Sequence, residues 1–293
     1  MAPHGQDSSA QAPRLDEPPT ALRNPRIDVL GVGIADTNEL DAMRAIESWL
    51  QHGSAGSHYV CLTPVSGVMA AQRDPTVLAA IDGADLALAD GMPICWAGRA
   101  AGATNIDRVY GPDLMARLCE LAAERGWPSY FYGGQEGVAR RVAEHMQDRY
   151  PRFEVAGTHC PPFRELTEAE RTAEAEEINT SGARLVWVGI STPKQDLWMA
   201  SQVGRLRGPV VLLGVGAAFD IHAGVVRRPP DWLGPLGLWW LYRLAQNPTR
   251  LWRRYLKDNP QFVARILRRR PRLRQPADDG SSLEGPRRTD QEP

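Results

Sequence analysis

The strongest constraint on this chain is a recurring unit. A short apolar segment ends in a glycine-rich or polar turn, and a stretch with helical spacing follows. Residues 185–189 (Leu-Val-Trp-Val-Gly) and 210–214 (Val-Val-Leu-Leu-Gly) carry no charged or hydroxyl side chain. Segments so short and so apolar are strands covered on both sides, because a half-exposed strand alternates apolar and polar residues. Residues 58–63, 86–89, 129–132 and 153–157 read as further strands, and 27–34 as one more. Helical spacing occupies 40–50, 68–81, 111–125, 138–148 and 167–180. Thr37 or Asn38 can cap the first of these, and Thr-Glu-Ala-Glu from Thr167 has the order of a capping box. The alternation predicts an α/β fold, a Rossmann-like parallel sheet with helices on both faces. From Trp232 onward the pattern changes to helices rich in Trp and Arg. The expected division is a disordered tail at 1–25, an α/β core at 26–226, a basic helical membrane-docking appendage at 227–274 and a second disordered tail at 275–293.

Charge is balanced overall, 34 basic side chains against 35 acidic, yet unevenly placed. Between Arg227 and Arg274 stand thirteen Lys or Arg and two acids, Asp231 and Asp258. A basic end on an acidic body suits an anionic partner. Trp232, Trp239, Trp240 and Trp252 are interleaved there with Arg227, Arg228, Arg243, Arg250, Arg253 and Arg254. Trp favours the lipid–water boundary and Arg pairs with phosphate, so an interfacial helix pair on an anionic membrane is expected. Arg268, Arg269, Arg270 and Arg272 read as a further electrostatic anchor. A core helix with a solvated basic face is the alternative, and RNA is disfavoured. No apolar run reaches the ~18 residues of a spanning helix. The first 25 residues lack the apolar stretch of a signal peptide, so secretion is not expected. Cys61, Cys95, Cys119 and Cys160 form no Cys-x-x-Cys pair, which points to free thiols and away from zinc.

In open parallel sheets ligands bind beyond the carboxyl ends of the strands. Asp90 stands there after 86–89 and suits a general base, with a helix cap as the competing role. Arg108, in the loop after Asn105-Ile106-Asp107, can neutralise a leaving diphosphate, or simply pair on the surface. Lys194 and Gln195 follow Pro193 at another strand end and can read a sugar or base edge, or cap the next helix. Asp220 can accept the imide N–H of a uracil, or merely shape a turn. The turn Gly133-Gly134-x-x-Gly137 can bring backbone amides to a phosphate, with a tight structural turn equally open. It is neither the dinucleotide fingerprint nor a P-loop. No Asp-x-Asp stands where a divalent ion would bridge a diphosphate, so neither metal nor cofactor is expected.

Taken in order, these turns resemble the WecG/TagA/CpsF glycosyltransferase family. The resemblance is carried by Asp90-Gly91-Met92-Pro93, by 107–114 (Asp-Arg-Val-Tyr-Gly-Pro-Asp-Leu), and by Tyr130-Phe131-Tyr132-Gly133-Gly134. It continues in 189–196 (Gly-Ile-Ser-Thr-Pro-Lys-Gln-Asp), 214–220 (Gly-Val-Gly-Ala-Ala-Phe-Asp), Arg228-Pro229-Pro230 with Trp232, and Tyr242-Arg243-Leu244 with Asn247-Pro248. It implies inverting, metal-independent transfer from a UDP-sugar to a sugar on undecaprenyl diphosphate. The donors it implies are UDP-N-acetylmannosamine, its uronic acid or UDP-glucose, and the products are cell-surface polysaccharide or teichoic acid. Asp90 matches the proposed base, Thr63 the threonine of the first active-site turn, Arg108 an arginine from the C-terminal appendage side of the pocket or one that stabilises the diphosphate, Gln195 the active-site glutamine and Asp220 the uracil contact. The implied place is the cytoplasmic face of the plasma membrane; oligomerisation is left open. Two positions depart from the pattern: Val65 where the family has Asn, and Trp239 where it has Glu. They motivate an alternative, a catalytically weakened UDP-sugar-binding scaffold.

Overall fold

The computed structural model describes residues 25–51, 56–234 and 236–274. The tails expected at 1–25 and 275–293 lie outside these residues, Pro25 excepted, as do the side chains of Arg250, Arg253 and Arg254. The chain opens with β1 (Arg26–Val29) and β2 (Val32–Ala35), then α1 (Glu39–Gln51) and β3 (His58–Thr63). Helices α2 (Val65–Ala71) and α3 (Pro75–Asp82) lead to β4 (Leu86–Ala89) and α4 (Met92–Ala100). After a loop come α5 (Gly111–Arg125), β5 (Ser129–Gly133), α6 (Val138–Arg149) and β6 (Val155–His159). Then follow α7 (Glu168–Ser181), β7 (Leu185–Gly189), α8 (Lys194–Gln202), β8 (Val211–Gly214) and α9 (Ala218–His222). The C-terminal part holds α10 (Trp239–Gln246), α11 (Pro248–Arg268) and β9 (Arg272–Leu273).

Strands β3 to β8 form a parallel sheet in the order β4-β3-β8-β7-β5-β6. Period-two alternation sends Val186 and Val188 of β7 to one face, and Leu185 and Trp187 to the other. The first face packs against α2, α3, α4, α7 and α8, the second against α1, α5, α6 and α9. Both faces are covered at β4, β7 and β8, which is why those strands are apolar throughout. The chain leaves β3 toward β4 on one side and returns from the other side to place β8 beside β3. Loops that part in this way open a crevice at the carboxyl ends of the two strands.

Two expectations are corrected. Residues 27–34 are not one strand of the parallel sheet. They form the β1–β2 hairpin of a separate antiparallel sheet, ordered β2-β1-β9. Leu30 and Gly31 both take positive φ (55° and 91°), as a two-residue hairpin turn requires, and Asp28 accepts the Gly31 N–H. Likewise, 68–81 is two helices. Asp74 caps α3 by accepting the Thr76 N–H at 2.9 Å, and Pro75 occupies its first turn, so the helix restarts there. Elsewhere, Asn38 accepts the Asp41 N–H at the start of α1, and Thr167 and Glu170 make the expected capping box.

The C-terminal segment closes back on the beginning of the chain. Phe262 of α11 enters the core, and Asp258, also buried, pairs with Arg73 of the α2–α3 turn at 2.8 Å. Strand β9 pairs with β1, Arg269 and Arg272 reach Asp28, and Arg274 reaches Asp82 at 2.7 Å. Part of the expected electrostatic anchor is thus engaged in ion pairs within the chain.

At the β5–β6 edge, buried Glu174 accepts hydrogen bonds from the Tyr132 hydroxyl and the Trp198 indole, both at 3.0 Å. His159 stacks on Tyr132 and lies 3.4 Å from both Glu174 and Glu177. The hydrogen bond to Glu174, with the charge of Glu177, raises the His159 pKa against the opposing effect of burial. A raised folded-state pKa contributes stability below the unfolded value of about 6.5 and loses it as pH climbs through the folded value. His159→Gln is therefore expected to lower the unfolding temperature more at pH 6 than at pH 9. A gap that is the same at both pH values, in calorimetric melts of the two proteins, would remove this ion cluster from the account.

Candidate active site

A cleft opens where the crevice is expected. Pro64, Val65 and Ser66 line it beyond β3, and Asp90, Gly91 and Met92 beyond β4. Thr192 and Gln195 line it beyond β7, and Val215, Gly216 and Ala217 beyond β8. The outer wall is built from Arg108, Tyr110, Trp239, Trp240 and Arg243. Asp90, Arg108 and Gln195 therefore share one space.

Backbone pairing fixes the first two. The Asp90 N–H donates to the Thr63 carbonyl at 3.1 Å, and the Val109 N–H donates to the Ala89 carbonyl at 2.9 Å. Gly91 is the N-cap of α4, with φ 144°, a conformation that favours glycine, so Asp90 stands one residue outside the helix. The Arg108 guanidinium carbon lies 3.8 Å from the centre of the Trp239 ring and 5.5 Å from that of Tyr110. Tyr110 and Trp239 meet edge to face at 4.1 Å. Burial pushes the Tyr110 phenol up, against the pull of Arg243, so the group stays protonated at neutral pH. Among the described residues its hydroxyl has no hydrogen-bond partner.

Gln195 is 2 % exposed. Its Nε2 donates to the Gly214 carbonyl at 2.9 Å and to Thr192 Oγ1 at 3.2 Å, tying the turns after β7 and β8 together. Its Oε1 is without a partner among the described residues. Thr63 sits behind the lining, 1 % exposed, with its hydroxyl likewise unpartnered among them.

Gly133, Gly134, Lys194 and Asp220 do not line this cleft. A Cβ on Gly133, at φ 124°, would stand 2.8 Å from the Gly189 backbone, and one on Gly134 2.7 Å from Val138. Close packing of β5 on β7 and on α6 accounts for both glycines. The Lys194 ammonium lies 5.3 Å from the exposed Phe163 ring. Asp220 lies within α9, where its carbonyl accepts from Val225 and Val226.

Tyr110 was not singled out from the sequence as a cleft residue, though a signal existed. In an extended loop, residues two apart point the same way, so whatever face Arg108 occupies, Tyr110 shares.

The family model described as "Glycosyl transferase WecG/TagA/CpsF family" matches residues 27–276. The chain belongs to this family. It is a glycosyltransferase. A relative from Bacillus spizizenii (strain ATCC 23059 / NRRL B-14472 / W23) is 29% identical over 213 residues, covering 73% of this chain and 79% of its own length. That relative is an N-acetylglucosaminyldiphosphoundecaprenol N-acetyl-beta-D-mannosaminyltransferase. Both departures from the family pattern, Val65 and Trp239, fall on the cleft wall of this glycosyltransferase.

Gln195→Leu removes the donor to a buried carbonyl. It is expected to destabilise the protein by ~1–3 kcal/mol in urea unfolding. Wild-type stability would mean that the Gly214 contact holds nothing together.

Proposed function

We propose that this glycosyltransferase moves a sugar from UDP to a sugar carried on undecaprenyl diphosphate, with inversion and without a metal ion. The observation that carries the reading is a carboxylate and an arginine, Asp90 and Arg108, facing one cleft at the switch point of the sheet. Asp90 accepts the proton of the acceptor hydroxyl. That oxygen attacks the anomeric carbon from the side opposite UDP, and the bond from that carbon to the phosphate oxygen breaks with its electron pair on UDP. Arg108 and Arg243 face the negative charge that builds up there. Thr63 and Gln195 line or back the sugar site. The name of the Bacillus relative supports an N-acetylmannosamine-type donor and a diphosphoundecaprenol-linked acceptor; the uronic acid and glucose remain in the same donor class. The product would enter cell-surface polysaccharide or teichoic acid.

The test is transfer to a synthetic N-acetylglucosaminyl-diphosphoprenyl acceptor from each UDP-sugar. Asp90→Asn is expected to cut turnover by roughly 10²–10⁴-fold while UDP binding in calorimetry persists. Normal turnover would take the base role from Asp90. EDTA is expected to leave the rate unchanged, and loss restored by magnesium would overturn the metal-free mechanism.

The acceptor's lipid keeps it in the bilayer, so on this reading the enzyme works at a membrane surface, and a UDP-sugar donor puts that surface on the inner face. Among the described residues no helix is long and apolar enough to cross a membrane. A docking surface is offered by α11: Leu256, Val263 and Leu267 are exposed along one side, with Trp240 and Pro260 beside them. Leu256→Glu with Leu267→Glu is expected to abolish co-sedimentation with phosphatidylglycerol vesicles. Undiminished sedimentation would move the docking surface elsewhere.

A further inference from the structure

We infer that Trp239 is a positioning residue for Arg108: its indole face holds the guanidinium against the cleft wall, so that seating of α10 sets the direction of the cation. This rests on the reading of Arg108 as the group that meets the diphosphate. The guanidinium is seated in a corner made by two rings, 3.8 Å from the centre of Trp239 and 5.5 Å from that of Tyr110, the rings themselves inclined at 68°. Trp239 is in turn fixed: it is 8 % exposed, and its Nε1 donates to the Pro230 carbonyl at 3.1 Å.

Three acids nearby pair with other arginines. Asp107 accepts from Arg99 at 3.2 Å and from the Arg108 backbone N–H at 2.8 Å. Glu39 pairs with Arg117, and Asp113 with Arg228. Among the described residues no carboxylate stands within ion-pair distance of the Arg108 guanidinium. An aromatic face orients a cation while leaving its charge uncancelled, whereas a carboxylate would orient it and neutralise it. A cation meant for an incoming diphosphate needs the first kind of support. The ring also belongs to the first residue of α10, so the wall and the C-terminal helices form one unit.

The experiment uses the full chain with Trp239→Leu, Trp239→Phe, Arg108→Ala and the double variant Arg108→Ala/Trp239→Leu. In NMR spectra the Arg108 side-chain protons are expected to be ring-current shifted in the wild type and in Trp239→Phe, and unshifted in Trp239→Leu. In transfer assays Trp239→Leu is expected to lower kcat about tenfold with the donor KM nearly unchanged. Trp239→Phe should restore most of the rate. In the Arg108→Ala background the Leu substitution should cost nothing more. Unshifted protons in the wild type, or an equal loss in both backgrounds, overturns this inference and leaves sugar transfer standing. Failure of the wild type to bind UDP or to transfer sugar overturns the functional reading beneath it, and the role of Trp239 with it. If Trp239→Leu does not fold, Trp239→Met, bulky and without a ring, takes its place in both arms.

Discussion

Two backbone hydrogen bonds at the end of β4 organise the site: Asp90 N–H to the Thr63 carbonyl, and Val109 N–H to the Ala89 carbonyl. The first continues the β3–β4 ladder by one residue and delivers a carboxylate at the rim. The second matters for another reason. Strand β4 is the edge of the parallel sheet, and an open edge leaves backbone groups unpaired. The segment around Val109 partly covers that edge. In doing so it carries Arg108 and Tyr110, one residue on either side, to the same rim. Shielding of an edge and assembly of a site are here one act of backbone pairing.

What could be read in advance follows from the same physics. Strands buried on both faces have no polar positions, so 185–189 and 210–214 stand out from the chain. That Asp90 and Gln195 would line a cleft was legible because clefts in such sheets open at the strand ends. The hairpin was not. Ile27, Val29, Val32 and Ile34 are all buried, so its two arms blur into one apolar run, and the turn at Leu30-Gly31 lacks the usual Asn or Asp. The helix restart at Asp74-Pro75 does carry a signal, a capping side chain followed by a proline in the first turn. Gly133 reads equally as a phosphate turn or a packing turn because flexibility and close packing demand the same residue, and the nearness of Gly189 shows the packing demand. Trp239 stood out only as a departure from the family pattern, because its partner Arg108 is remote in sequence.

Helix α11 is asked to face two ways. Leu251, Asp258 and Phe262 point inward, while Leu256, Val263 and Leu267 point out. Each series advances by seven residues and then four, so the helix carries two apolar or sealed stripes. A helix that only capped the core would need one. At its far end Arg269 and Arg272 hold Asp28, and the chain then pairs with β1. At its near end α10 packs Trp239 against Arg108. The outward stripe is therefore mounted on a helix tied to the fold at both ends, so any surface that engages it is held at a defined distance from the cleft.

The electrostatics of the cleft follow from which groups are kept charged. Arg108 lies on rings and Arg228 is matched by Asp113, while Tyr110, lifted by burial, remains a neutral O–H donor between them. The outer wall thus offers positive charge and a proton donor, and the carboxylate of Asp90 lines the same cleft. Water solvates a diphosphate well, so a site competes for it only with cations that lose little when it arrives. An arginine released from a salt bridge would first have to break that bridge. An arginine lying on an indole face can turn its N–H edge to an incoming oxygen with the aromatic contact intact. On the proposed reading of Arg108, the tryptophan in place of a glutamate at position 239 supports the cation without adding a negative charge beside it.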